Sequence, residues 1–199
     1  MFLYPTEKGR AEKISQGFGE RPEVYKQFGM KGHNGLDFGI PNGTLILAIG
    51  DGKVLACGDQ GAKVGYGKYI KIQHAAHQSY YAHLQEFLVK VGDTVSAGQK
   101  IAKSDNTGFS TGAHLHLVIK QTDASGNVLN AGNGFGGAID PLPLLEPAEV
   151  PGPTPHWSDP FMEYALLHKW ISEKKDHEKP ITWGELLVVA KRIHEDKKT

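Results

Sequence analysis

A second cysteine is missing. Cys57 is the only one in 199 residues, so no intrachain disulfide can form. In Lys53-Val54-Leu55-Ala56-Cys57 it has the setting of a small buried hydrophobe. Long apolar runs are missing too. None approaches the ~20 residues that a membrane-crossing helix needs, so no membrane span is expected. An excess of one charge is absent as well. Twenty-two Lys and Arg meet 22 Asp and Glu, which gives no field to favour nucleic acid or an anionic membrane surface, and neither is expected as a partner. Phe2-Leu3-Tyr4 is too short an apolar region for a secretory leader, so no signal peptide is expected.

What the chain has in plenty is glycine, 25 residues of it. Gly-rich punctuation falls at Pro41-Asn42-Gly43, at Gly50-Asp51-Gly52 and from Gly58 to Gly67. Between these turns lie short β-type runs, Leu45–Ile49, Val54–Cys57 and Tyr69–Gln73. Short strands and turns at such intervals predict a mainly β domain, an antiparallel sandwich or barrel-like body. Tyr80-Tyr81-Ala82-His83 reads as a further strand, with Tyr81 and His83 on one face. Residues 121–139 are rich in Gly and Asn and read as a long loop. Residues 1–14 are polar and mixed and read as a loosely attached arm.

Two regions carry chemistry. In Ser110-Thr111-Gly112-Ala113-His114-Leu115-His116-Leu117 the alternation puts His114 and His116 on one strand face and the leucines on the other, toward a core. Far upstream stands Gly32-His33-Asn34-Gly35-Leu36-Asp37-Phe38-Gly39. Asn34-Gly35 is a turn signal, so His33 and Asp37 meet across a turn and not along a helix. His33, Asp37 and one histidine of the pair form a two-histidine, one-carboxylate set. Three N and O ligands leave a tetrahedral metal one open position, the plan of catalytic zinc sites. Non-haem iron uses the same inventory, but its usual spacing is His-x-Asp, and here it is His-x-x-x-Asp.

Gly-His-Asn-Gly-Leu-Asp-Phe-Gly, then Tyr-Tyr-Ala-His-Leu at 80–84, then Ser-Thr-Gly-Ala-His-Leu-His-Leu together resemble the lysostaphin-type zinc endopeptidases, which cut peptidoglycan. The resemblance covers about residues 15–146. It implies zinc on His33, Asp37 and His116, and it makes His83 and His114 the two further active-site histidines. Peptidoglycan stem peptides or cross-bridges are the implied substrate, and the cell wall is the implied place of action. Many relatives follow the histidine pair with Phe-Glu, where this chain has Leu117-Val118. There is no His-Glu-x-x-His helix, so no glutamate is placed as base, and His114 is the expected base with His83 facing the oxyanion or the leaving amine. Tyr25, upstream of His33, is a candidate for a further hydroxyl. The approach Phe28-Gly29-Met30-Lys31-Gly32-His33 is similar to phage-encoded relatives.

Two rivals are weaker. The Val-Gly-Asp and Ala-Gly-Gln turns between 91 and 99 resemble biotinyl and lipoyl carriers, but Lys100 lacks the exposed-hairpin context. A zinc-free binding or regulatory module of the same fold would typically have lost ligands, and all the expected positions are intact. Beyond residue 146, the segment 147–156 is a Pro-rich linker. In 157–199, helical spacing from Phe161 to Ile171 and a capping box at Thr182 and Glu185 predict two short helices, a small appendage for a cell-wall or protein partner. Pro-Ile-Thr-x-x-Glu there is similar to half of a surface-layer-homology repeat. The remaining histidines, 74, 77, 156, 168, 177 and 194, are expected to carry no chemistry, with His74 and His77 exposed in a hairpin loop.

Overall fold

The computed structural model describes residues 2–146. The expected linker and two-helix appendage lie outside the described residues. In chain order the elements are β1 (Phe2–Leu3), β2 (Ile14–Gln16), α1 (Pro22–Tyr25), β3 (Leu36–Phe38), β4 (Leu45–Leu47), β5 (Gly52–Asp59) and β6 (Lys68–Gln73). There follow β7 (His77–Ala82), β8 (Leu84–Phe87), β9 (Thr94–Val95), β10 (Lys100–Ser104), β11 (Leu115–Gln121), β12 (Ala138–Ile139) and β13 (Leu145–Glu146). The domain is mainly β, as the glycine punctuation predicts.

Its large sheet has eight antiparallel strands in the order β2-β3-β11-β7-β6-β5-β9, with β12 also paired to β11. A second antiparallel sheet runs β4-β10-β8. One apolar core joins them. Leu115, Leu117 and Ile119 from β11, Ile70 and Ile72 from β6, Ile46 from β4 and Ile101 from β10 all belong to it, each with essentially no exposure. Alternation along β11 explains the rest. Its odd-numbered residues enter the core, so its even-numbered residues face the other side of the sheet. His116 and Val118 are buried there but stand outside the core cluster.

The first residues are not a loose arm. Phe2 and Leu3 pair in parallel with Leu145 and Glu146. The Leu3 amide donates to the Ile49 carbonyl at 2.8 Å, and the Leu47 amide to that of Pro5 at 2.8 Å. Tyr4 and Thr6 are buried. Two apolar side chains and a short polar stretch suffice to close the edge of the body, which mean polarity over 1–14 conceals.

His74 also departs from expectation. It is buried, its Nδ1–H donates to the Asp51 carbonyl at 2.7 Å, and its Nε2 accepts from the Ser79 hydroxyl at 2.8 Å. The Phe2 ring stacks beside it at 4.9 Å. Burial pushes its pKa below the ordinary histidine value. The packed N-terminus covers what would otherwise be an open hairpin.

Candidate active site

Register brings the two motifs together. On the large sheet Asp37 of β3 lies opposite His116 of β11, which in turn faces Ala82 of β7. Gly35 makes the approach possible. A Cβ there would collide with the Leu117 carbonyl and stand 2.8 Å from His116 Cε1. The bend at Gly35 then brings His33 back over the strand. Its Nε2 lies 2.9 Å from His116 Nδ1 and 3.1 Å from Asp37 Oδ1, and His116 Nδ1 lies 2.8 Å from the same oxygen. All three residues are buried.

These three donor atoms fit a metal. A carbonyl only accepts, so the 2.9 Å contact between His33 Nδ1 and the Gly17 carbonyl fixes the proton on Nδ1. Its Nε2 therefore presents a lone pair to the centre. The carboxylate offers only lone pairs, and one proton on His116 cannot satisfy both neighbours. Lone pairs crowded on buried atoms in this way call for a cation. Tetrahedral bonds of ~2.0–2.1 Å would set such donors about 3.3 Å apart, close to what is seen. The set is hard and borderline in character, which suits zinc. Burial works against charge on Asp37, but the His116 and His33 rings against its carboxylate outweigh it and hold the carboxyl well below the usual range. Burial pushes the His116 imidazolium down, so the ring is kept neutral and available as a ligand.

His83 and His114 stand beside this centre with rings 4.6 Å apart. His114 lies just before β11 in an isolated bridge to Asp105, and its Nε2 is 3.7 Å from Asp37 Oδ2. The expected shared face of His114 and His116 holds in this sense, since both reach Asp37. His83 differs from expectation. It does not continue the β7 alternation but sits in the left-handed region at φ 60°, a cost on the order of 1–3 kcal/mol for a residue with a side chain. The surroundings hold it there. Its amide donates to the Tyr66 carbonyl at 2.9 Å, and its carbonyl accepts from the Asp105 amide at 2.8 Å. The twist turns the ring out of the strand face and into the cleft. Nδ1–H of His83 donates to the Thr107 carbonyl at 2.6 Å, and Nδ1–H of His114 to the Gly112 carbonyl at 2.8 Å. Each therefore presents Nε2 to the cleft. Burial, together with the fields of His116 and His114, lowers the His83 pKa to about 3.

A cleft of about 320 Å³ opens over these groups. Tyr25 lines it, its ring 5.2 Å from His33, and its hydroxyl oxygen accepts from Gln16 Nε2 at 2.9 Å. Burial and the Asp37 charge push this phenol up to about 12, so it stays a donor. Tyr66 lines the other side and was not anticipated. Its hydroxyl oxygen accepts from Asn34 Nδ2 at 3.0 Å, and its ring lies 5.6 Å from His116. The signal lay in Gly65-Tyr66-Gly67, where both glycines have positive φ and a backbone contact between Gly67 and Gly108 locks the loop. Phe28 and Phe109, half-exposed with rings 5.1 Å apart, form an apolar rim. All the expected histidine and aspartate positions thus converge, which argues against a binding module that has lost its ligands.

The model of the family described as Peptidase family M23 matches residues 31–136. The chain belongs to peptidase family M23. Among curated M23 relatives it is 34% identical over 167 residues to lysostaphin of Staphylococcus simulans, covering 79% of this chain and 31% of that protein. To the peptidoglycan DD-endopeptidase ShyB of Vibrio cholerae it is 37% identical over 118 residues, covering 58% of this chain and 26% of the relative. The chain therefore spans less than half the length of either. The catalytic domain of S. simulans lysostaphin superposes with a TM-score of 0.54 at 33% identity, covering 67% of this chain and 91% of that one. A zinc-containing peptidase from V. cholerae superposes equally, TM-score 0.54 at 31% identity, covering 70% of this chain and 39% of that one. A phage source draws no support from the family match.

Proposed function

We propose that this M23 chain is a zinc-dependent endopeptidase that hydrolyses peptide bonds in peptidoglycan stem peptides or cross-bridges, acting at the cell wall. One observation carries the reading. Three buried donors lie 2.8–3.1 Å apart beneath an open cleft, beside two histidines whose Nδ1 protons are committed to backbone carbonyls. His33 Nε2, His116 Nδ1 and an Asp37 oxygen hold the zinc. When bound, it supplies a Lewis acid that polarises a peptide carbonyl and acidifies water.

The chain's own groups do the rest. His114 Nε2 takes the proton of the attacking water, and the imidazolium so formed lies 3.7 Å from Asp37 Oδ2, which steadies it. His83, whose cation is strongly disfavoured by burial and neighbouring histidines, stays neutral and turns its Nε2 lone pair to the cleft, where it accepts a hydrogen bond from the N–H of the leaving amine. The proton taken by His114 passes to that amine. The Tyr25 hydroxyl, kept protonated, faces the charge that develops on the carbonyl oxygen. The Phe28–Phe109 rim limits water on one side of the cleft. The C-terminal region 157–199 is assigned affinity for the wall or for a protein partner.

Product mass spectrometry on defined peptidoglycans tests this reading. The expected result is new amine and carboxyl termini within the peptide portion, lost on chelation and restored by zinc. Full cleavage by metal-free protein, or cleavage in the glycan, would overturn it.

A further inference from the structure

The sheet face that carries His116 does not end at the metal centre. Tyr66, with its ring 5.6 Å from His116, is followed by Tyr80 at 6.0 Å. Tyr80 lies in one row of the sheet with Lys71 on β6 and Val118 on β11. Lys120 lies opposite Gln78 in the next row. Since β11 alternates, Lys120 shares the face of His116, about 13 Å farther along at ~3.3 Å per residue.

Both ammonium groups converge on one ring. Lys71 Nζ is 5.4 Å and Lys120 Nζ 5.1 Å from the Tyr80 centroid. Among the described residues no carboxylate lies within ion-pair distance of either lysine. Both are half-buried. The Tyr80 ring attracts each cation but neutralises neither. Burial, together with the Lys71 charge, disfavours the Lys120 cation. Lys71 from β6 and Lys120 from β11 thus flank the Tyr80 ring, two like charges beside a tyrosine that neighbours the Tyr66 wall of the cleft, and they leave a place for an anion.

The geometry points to a subsite at Lys71, Tyr80 and Lys120 for a negatively charged group on the substrate, a carboxylate carried by an extended peptide three to four residues from the bond cut. It rests on the peptidoglycan-cutting reading above. The span follows from ~3.3–3.6 Å per extended residue over about 13 Å. The shared chemistry is an oxyanion, so a phosphate of a wall polymer would meet the same lysines. A peptide is favoured because Tyr66 stands between His116 and Tyr80, its ring 5.6 Å from one and 6.0 Å from the other, and only a chain that also enters the cleft uses both tyrosines.

Two synthetic stem-type peptides test this, identical except for a carboxylate or a carboxamide at the third or fourth residue from the cleaved bond. Binding is measured by calorimetry on the full-length, zinc-loaded chain carrying His114→Ala, which slows cleavage. Mass spectrometry on the unaltered chain reports separately whether either peptide is cut, so a failure of the cleavage reading is distinct from a failure of the subsite. Each ionic contact at a half-exposed site contributes modestly, and two together correspond to about tenfold tighter binding of the carboxylate peptide. The ratio should fall to about one in Lys71→Gln/Lys120→Gln and return in Lys71→Arg/Lys120→Arg. If the double glutamine variant fails to melt cooperatively, Lys71→Gln alone should show about a threefold loss of the ratio. Equal affinity of the two peptides overturns the subsite. Stronger competition by poly(glycerol phosphate) than by the carboxylate peptide overturns the assignment to the peptide.

Discussion

Gly35→Ala tests whether the site depends on the close approach of Gly35 to β11. Gly35 needs no unusual backbone conformation, so the substitution acts through space alone. The added methyl meets the Leu117 carbonyl and His116 Cε1, the latter at 2.8 Å, about 1 Å inside ordinary contact. Neither neighbour yields easily. Leu117 is paired to Leu36 across the sheet, and the His116 ring is held by Asp37. Overpacking of this kind costs about 1–3 kcal/mol. For a domain of this size each kcal/mol shifts melting by about 4 °C, so a fall of about 4–12 °C is expected. The same displacement turns His116 Nδ1 away from the other donors, and misplaced ligands of this sort cost typically ~10–100-fold in metal affinity. The assay is a pair of melting curves with and without zinc, alongside zinc content after dialysis. The rise in melting temperature on adding zinc should shrink in the variant. Gly132→Ala is the control, because nothing lies within 4 Å of a Cβ there. Wild-type melting and wild-type zinc retention in Gly35→Ala would refute the argument.

Three further outcomes are expected. His116→Ala should lose zinc, since two protein ligands remain, whereas His114→Ala should keep it and lose about 10²–10⁴-fold in turnover; equal metal loss in both would show that the pair is misassigned. His74 has its folded pKa lowered by burial, so below the ordinary value near 6.5 the unfolded chain binds more protons, and stability is fully present above that pH and lost as pH falls below it. Melting of metal-free protein between pH 7.5 and 5.5 should show this decline, to which the buried His83 and His116 also contribute, and His74→Gln should lessen it; a slope unchanged in the variant would count against His74 as one of its sources. A chain ending after Glu146 should still fold and cut small soluble cross-bridge peptides near the full rate, but should be slower on whole sacculi if residues 157–199 supply wall affinity. Unchanged rates on sacculi would remove that role.

Local rules of the chain assign the chemistry available. Period-two alternation in His114-Leu115-His116-Leu117 assigns the leucines to the core, and Leu115 and Leu117 are there. Asn34-Gly35 reads as a turn, and the chain bends at Gly35 between His33 and Asp37. The glycine punctuation gives short antiparallel strands. These are local rules, resting on backbone sterics within a few residues. Long-range packing sets the rest. The contact between His33 and His116 joins residues 83 apart in sequence, and nothing local encodes it. Which nitrogen each histidine turns to the cleft depends on the carbonyls of Gly17, Thr107 and Gly112, backbone groups whose identity leaves no trace in a motif. His83 leaves its strand because Tyr66 and Asp105 hold its backbone in the left-handed region, against the preference of its own residue type. His74 is buried under Phe2 from the far end of the chain, so neither segment read alone shows the burial. Lys71, Tyr80 and Lys120 lie on three separate strands and meet only through sheet register. A one-residue slip in any of those pairings would turn these side chains to the opposite face.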